Sequence, residues 1–464
     1  MTDTYSYRKD SAFFDEDVSL PVGNQSRLDH VFVGTFVQSV AFSEMVVEKR
    51  VVGVCTDGKI AFTGHEDELP ELMQTHGLVE ADIVRLGENE FIMPGLIDTH
   101  HHAPQYAFAG TGYDLTLLDW LNTYTFPVES KYSCEKFAKE TYKKAVKRTL
   151  DSGTTTNTYF ATIHLEASKI LVETIGEIGQ RAFVGKVNMD RNSPDYYREE
   201  TGDSLGDTEE FIQHVINGPY SERITPVITP RFVPSCSSEL MHGLGELAAK
   251  YDIPIQSHLC ENKPEIEWVK TLHPESVAYA HVYDDHRLLT DRSIMAHCVH
   301  LSDEEIDLFR KNNAGVSHCP NSNFSLTSGC LNVRRLLESD IKVGLGTDVS
   351  GGYSSSMLDS MRQAIICSTA VHFQDESRVP LSYQEVFYLA TLGGATVLGM
   401  DDTLGTFEVG KQFDALRVNP DVEGSPFDLY EGDTVSDIVQ KFLYLGDDRN
   451  ITHVFVSGKT VKSI

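Results

Sequence analysis

The sequence predicts an α/β architecture, a (β/α)8 barrel framed by β-structure that both chain ends contribute. Three observations predict it. Short apolar, β-branched stretches alternate with helical patterns through the middle of the chain. Polar or ionisable residues fall at the C-terminal ends of nearly all those stretches, as a shared barrel mouth requires. Short strands with glycine turns recur near both chain ends.

Taken in order, residues 1–27 are polar, with an Asp15-Glu16-Asp17 run, and read as a loosely packed arm. From His30 the texture changes. Val31-Phe32-Val33 and Arg50-Val51-Val52 read as strands, and Asp57-Gly58 is a hairpin cue leading into Lys59-Ile60-Ala61-Phe62. Matching texture returns at 410–418 and 453–461. The segments 28–90 and 400–464 are therefore expected to pair into one composite β-sandwich, with the barrel, 91–399, inserted between them.

Eight strand candidates fill that insert: 91–102, 153–160, 181–187, 224–232, 253–258, 293–297, 315–318 and 341–348. Helical patterns such as 134–150 and 302–312 separate them. Eight parallel strands with intervening helices need about 250 residues or somewhat more. An open doubly wound sheet is the alternative, but no glycine-rich phosphate loop follows any candidate strand.

Composition narrows the function. The chain has 464 residues, 41% of them hydrophobic, and 39 Lys+Arg against 69 Asp+Glu give a net charge of −30. Such a balance argues against nucleic-acid backbones and anionic membranes as partners and favours a neutral small molecule. The eight cysteines form no C-x-x-C pair and read as free thiols of a reducing compartment. With no secretory start and no membrane-spanning run, a cytoplasmic protein is expected.

The chemistry begins in the first barrel strand, which ends His100-His101-His102. Residues two apart share a strand face, so His100 and His102 project together and His101 points away. Two imidazoles on one face suit a metal such as zinc. Alone they are better read as a hydrogen-bonded histidine cluster at a strand end. Later strand ends tip the balance: Arg231 on the fourth, His258 and Glu261 at the fifth, His297 on the sixth, His318 on the seventh and Asp348 on the eighth. Six strand ends serving one rim is hard to explain structurally.

These residues carry a resemblance. Pro94-Gly95-Leu96-Ile97-Asp98-Thr99-His100-His101-His102, Ser257-His258-Leu259-Cys260-Glu261, Met295-Ala296-His297, His318-Cys319-Pro320-Asn321-Ser322-Asn323 and Gly346-Thr347-Asp348 resemble the amidohydrolase superfamily. Ala103-Pro104-Gln105-Tyr106, Tyr124-Thr125-Phe126-Pro127, Thr229-Pro230-Arg231-Phe232 and the 441–450 stretch are similar to its zinc-dependent branch that deaminates guanine. The resemblance implies a distorted barrel and a zinc ion held by His100, His102, His258 and Asp348. His297 would lie near the metal-bound water and Glu261 would be the proton shuttle. Glu261, His297 and Asp348 are then the expected catalytic residues. The expected substrate contacts are His102, Gln105, Arg231, Phe232, His258, Glu261 and Asp348. Two-metal members often bridge their ions with a modified lysine ending the fourth strand. Arg231 stands there and cannot be deprotonated, so one zinc per chain is expected.

The implied reaction is attack of zinc hydroxide on an amino-bearing ring carbon, with Glu261 protonating first the ring nitrogen and then the departing ammonia. Xanthine and ammonia are the products expected from guanine, in a homodimer of purine catabolism. Another aminopurine, a pterin or a triazine is the alternative substrate. A metal-free assembly scaffold is disfavoured by the complete ligand set.

Overall fold

The computed structural model describes residues 27–464, so the arm expected over 1–27 lies outside the described residues except for Arg27. Five strands open the described chain: β1 (Leu28–Ala41), β2 (Glu44–Cys55), β3 (Ile60–His65), β4 (Ile83–Arg85) and β5 (Phe91–Pro94). The next five are β6 (Leu96–His102), β7 (Thr154–Phe160), β8 (Arg181–Gly185), β9 (Val187–Asn188) and β10 (Ile224–Pro226). Then come β11 (Thr229–Pro230), β12 (Ile255–Leu259), β13 (Ser293–His297), β14 (Gly315–His318) and β15 (Lys342–Leu345). β16 (Ala415–Val418), β17 (Ile451–Val456) and β18 (Lys459–Ser463) close the chain.

The two chain ends do pair. β1–β5 and β16–β18 make one eight-stranded sheet in the order β18-β17-β16-β5-β1-β2-β3, with β4 beside β1. Its alternating apolar residues converge on an aromatic cluster, where Phe32 stacks on Phe413 at 5.3 Å and Phe455 meets Phe32 edge-on at 5.4 Å. The Arg181 guanidinium at the start of β8 grips Asp414, just before β16, with bonds of 2.9 and 3.1 Å. Both side chains are buried, so this ion pair ties the sheet to the parallel strands.

The stretch 91–102, expected as one strand, is two. β5 pairs with β1 and β16 in the end sheet, whereas β6 pairs with β7. Gly95 makes the change in a single residue. A Cβ there would lie 2.0 Å from Thr155 Oγ1, so any side chain would collide with β7.

The remaining strands are parallel, as expected, but they do not form one continuous ladder. They fall into sheets β10-β8-β7-β6, β11-β9 and β12-β13-β14-β15. On the side of β10, β11 and β12 the breaks coincide with proline. Pro226 ends β10, Pro230 ends β11 and Pro254 precedes β12, each position lacking the N–H a ladder needs. A few backbone bonds link the sheet margins. On one side the Ile228 amide reaches the Pro254 carbonyl at 3.0 Å, and on the other the Asp348 amide reaches the His100 carbonyl at 2.8 Å. The alternation of strand and helix holds elsewhere: the pattern at 134–150 is a helix over Glu135–Asp151. That at 302–312 is a helix over Asp303–Asn312, begun by a Ser302–Glu305 capping box.

Candidate active site

The C-terminal ends of β6, β12 and β13 and the residues after β15 converge on one cluster. His100 Nε2 lies 3.1 Å from Asp348 Oδ1, and His102 Nε2 lies 3.4 Å from the same oxygen. His102 Nε2 is 3.0 Å from His258 Nε2. His297 Nε2 sits 3.6 Å from Asp348 Oδ2 and 3.6 Å from Glu261 Oε2. The ligand atoms of His100, His258, His297 and Asp348 all fall within 4.8 Å of one another, a group able to hold a metal ion. His102 touches two of its members, so five donors face one centre.

Local backbone makes this convergence possible. Cys260, His297, Cys298 and Asp348 all have positive φ, with His297 at 70° and Asp348 at 47°. These are sparsely populated conformations for such residues, and they cluster where strand ends turn toward the centre. Gly346 lets β15 approach β6, because a Cβ there would lie 2.9 Å from His100 Cβ.

Backbone and amide partners orient the rings. His258 Nδ1 bonds the Arg231 carbonyl at 2.6 Å, and His297 Nδ1 bonds Asn323 Oδ1 at 2.9 Å. With the proton on Nδ1 in each ring, Nε2 carries the free lone pair. His101 points away, with Nδ1 2.9 Å from Thr347 Oγ1 and 3.4 Å from Asp98 Oδ2. Asp98, wholly buried, also accepts the Thr347 amide at 2.9 Å and fixes the turn that carries Asp348.

Burial dominates the electrostatics. Desolvation, aided by neighbouring imidazoles, drives the His102 and His258 rings well below the ordinary histidine range, so both stay neutral. Burial pushes the Asp348 carboxyl up, but His100, His297 and His258 outweigh it and hold it well below the usual carboxylate range. Burial raises the Glu261 carboxyl, which accepts a 2.9 Å bond from the Ser328 hydroxyl.

A cavity of about 410 Å³, counting its open mouth, stands over the cluster. His102, His258, Glu261, His297 and Asp348 form its floor with Gln105, Arg231 and Phe232, under an apolar rim of Leu117, Trp120, Leu121 and Leu326. Every site residue named from the sequence except His100 lines this cavity; His100 lies just behind, in the ligand cluster. His318, placed at the rim by its position on β14, is not among the lining residues.

Glu129 is the residue that sequence reasoning missed. It ends the short helix Phe126–Glu129, entered from a π-helical turn over Leu121–Thr125, and is wholly buried. Arg231 grips it with two bonds, 2.7 and 3.2 Å, while Tyr197 and Gln105 donate to it at 2.7 and 3.1 Å. The four-residue spacing of Leu121, Thr125 and Glu129 puts the acid on a helical face but does not itself mark it as buried. Cys260, Cys298 and Cys319 are buried free thiols outside the ligand group.

Comparison with known proteins defines the class to which this site belongs. The chain belongs to the amidohydrolase family, whose description matches residues 91–461. It is 48% identical over 446 residues to a guanine deaminase of Dictyostelium discoideum, covering 94% of this chain and 99% of that one. A Mus musculus guanine deaminase is 49% identical, with 93% and 96% covered. The solved guanine deaminase of C. acetobutylicum, with guanine bound in its active site, superposes with a TM-score of 0.87 at 40% identity, covering 93% of this chain and 99% of that one. Within the family the chain groups with the guanine deaminases.

Proposed function

We propose that this protein hydrolyses guanine to xanthine and ammonia at a single zinc-dependent site. The observation that carries this reading is one cavity in which Glu261 and a His–Asp metal group face Arg231 and Gln105. The donor set fits zinc, which takes imidazole nitrogen and carboxylate oxygen. The ring nitrogens His100 Nε2 and His297 Nε2, which face the centre, are buried without a protein hydrogen-bond partner, and the low basicity of His102 and His258 suits neutral ligands. His100, His102, His258 and Asp348 are the proposed ligands, with His297 beside the reacting water. When bound, the ion acts as a Lewis acid and lowers the pKa of water from 15.7 to about 7.

The side chains divide the remaining work. Asp348 accepts the proton that the attacking water loses. Glu261, protonated at the start, delivers its proton to the ring nitrogen next to the amino-bearing carbon, which makes that carbon more electrophilic. It then takes the proton of the new C–OH group and passes it to the amine as the C–N bond breaks, and the proton held on Asp348 restores Glu261 for the next turnover. Its raised affinity for protons suits a shuttle, and Ser328 holds one carboxyl oxygen so that the other faces His297. Arg231 offers only donors, so it faces a ring acceptor such as O6 or N7 of guanine and disfavours the amino group of adenine. Gln105 can donate and accept along another ring edge. Leu117, Trp120, Leu121 and Leu326 exclude water from the bound ring.

The reading extends to the whole chain. Residues 91–399 act as the catalytic (β/α)8 barrel, 28–90 with 400–464 as the supporting β-domain, and the protein works as a homodimer in the cytoplasm. Among the described residues no helix is long and apolar enough to cross a membrane. The test is ammonia release from guanine, adenine, cytosine, 2-aminopurine, pterin and a triazine, with metal content measured on the same sample. Guanine should dominate. Preferred turnover of the pterin or triazine would overturn the substrate.

A further inference from the structure

Behind the cavity floor lies a carboxylate that the proposed chemistry leaves without a task. Glu129 lies behind Arg231, wholly buried, and no step above uses it. Its two oxygens receive four hydrogen bonds: two from the Arg231 fork, one from the Tyr197 hydroxyl and one from Gln105 Nε2. From these contacts we infer that Glu129 is the positioning residue that makes the site select an uncharged ring oxygen over an anionic one. The inference rests on the guanine reading.

The argument is geometric and electrostatic. A guanidinium carries five N–H donors, and the end-on grip on Glu129 occupies one on Nη1 and one on Nη2. Three donors are left along the sides of the fork. The Phe126 ring lies 5.5 Å from the guanidinium carbon and holds the plane from one face. The fork is therefore fixed in direction before any ligand arrives. Gln105 is fixed at both ends: Nε2 donates to Glu129 at 3.1 Å and Oε1 accepts the Ser350 amide at 3.2 Å. The amide cannot flip, and its spare acceptor and spare hydrogen have set directions.

Charge is the second half. An unpaired arginine on a dry floor would draw any anion of the right shape. Glu129 cancels that charge at contact distance on the side away from the ligand. What remains is a fork of donors with little net field, complementary to a neutral lactam oxygen. An amide could satisfy Arg231, Tyr197 and Gln105 only in part, and would leave the cation uncompensated.

The test uses the metal-loaded enzyme and two competitors of guanine that share the 6-oxo group: hypoxanthine, neutral at pH 7, and urate, a monoanion at that pH. The quantity read is the ratio of their inhibition constants, urate over hypoxanthine. In Glu129→Gln the ratio should fall at least tenfold, or about 1.4 kcal/mol of charge preference. In Arg231→Gln, which strands the carboxylate instead, it should rise by a similar factor. A merely structural Glu129 would weaken both competitors equally and leave the Glu129→Gln ratio at the wild-type value, which would overturn the inference. If Glu129→Gln does not fold, Arg231→Gln decides alone: no rise against urate refutes the charge argument. A wild-type enzyme that releases no ammonia from guanine would overturn the functional reading and this one with it. Normal guanine turnover with unmoved ratios overturns this one only.

Discussion

His318 should make the protein acid-sensitive, and replacing it by phenylalanine should remove most of that sensitivity. The ring is wholly buried at the end of β14, and neither nitrogen has a hydrogen-bond partner within the protein. Burial, with His297 nearby, pushes its pKa down to about 3. In the unfolded chain the same ring titrates near the usual value of about 6.5. The folded state therefore refuses a proton that the unfolded state accepts. Stability from this residue is present above pH ~6.5 and is lost as pH falls toward 3. At 1.36 kcal/mol per unit, the loss is about 2 kcal/mol at pH 5 and approaches about 5 kcal/mol near pH 3. A phenylalanine ring fills similar space, does not titrate, and orphans no partner. The assay is urea unfolding of wild type and His318→Phe at pH 8 and pH 5. A chelator is present throughout, so that metal loss at low pH affects neither comparison. Wild type should lose about 2 kcal/mol more than the variant between the two pH values. Equal losses would mean that the folded protein takes up a proton on His318 as readily as the unfolded chain does, and the reasoning would fail.

Three further outcomes follow from the site. His258→Ala should abolish both metal retention and turnover, measured as metal per chain and ammonia release; full activity that requires about two zinc ions per chain would instead refute the mononuclear reading. Glu261→Gln keeps the shape of the side chain and its acceptor for Ser328, so it should retain zinc while losing about 10²–10⁴-fold in kcat. Loss of metal from that variant would make Glu261 a ligand. Arg231→Ala should lower kcat/KM for guanine far more than for 2-aminopurine, which lacks O6. It should also lower stability by about 3–5 kcal/mol, because Glu129 is left charged and buried; equal kinetic losses on the two substrates would mean that Arg231 does not read O6.

Much of the site was legible because its residues lie in short contiguous strings at strand ends. The two-residue spacing of His100 and His102 places both rings toward the cluster, and His101 away from it, by strand geometry alone. Long-range convergence was less legible. The unbroken apolar run 91–102 gives no periodicity break at Gly95, so nothing local marks the passage from one sheet to the other. The prolines at 226, 230 and 254 were visible, but their effect on ladder continuity depends on which neighbours lack a donor, a three-dimensional fact. Glu129 was hidden for a related reason. Its burial depends on a partner, Arg231, about a hundred residues away. From sequence, Arg231 could face the substrate or tie down a carboxylate, and the geometry lets it do both, because two of its five donors satisfy the acid.

The position of β5 sets a schedule for assembly. This strand lies between β1 and β16, and one residue later the same chain becomes the strand that carries His100 and His102. During synthesis those histidines emerge early, but the strand that flanks β5 on its open side is made roughly 300 residues later. At 5–20 residues per second that is a wait of about 15–60 s. Over that interval β5 is an exposed apolar edge beside half a metal site, the kind of surface on which nascent chains misassociate. The burial of β16 against β5 thus acts as a late latch, and a ribosome stalled before residue 415 should hold a chain that has all its candidate metal ligands but leaves one side of β5 uncovered.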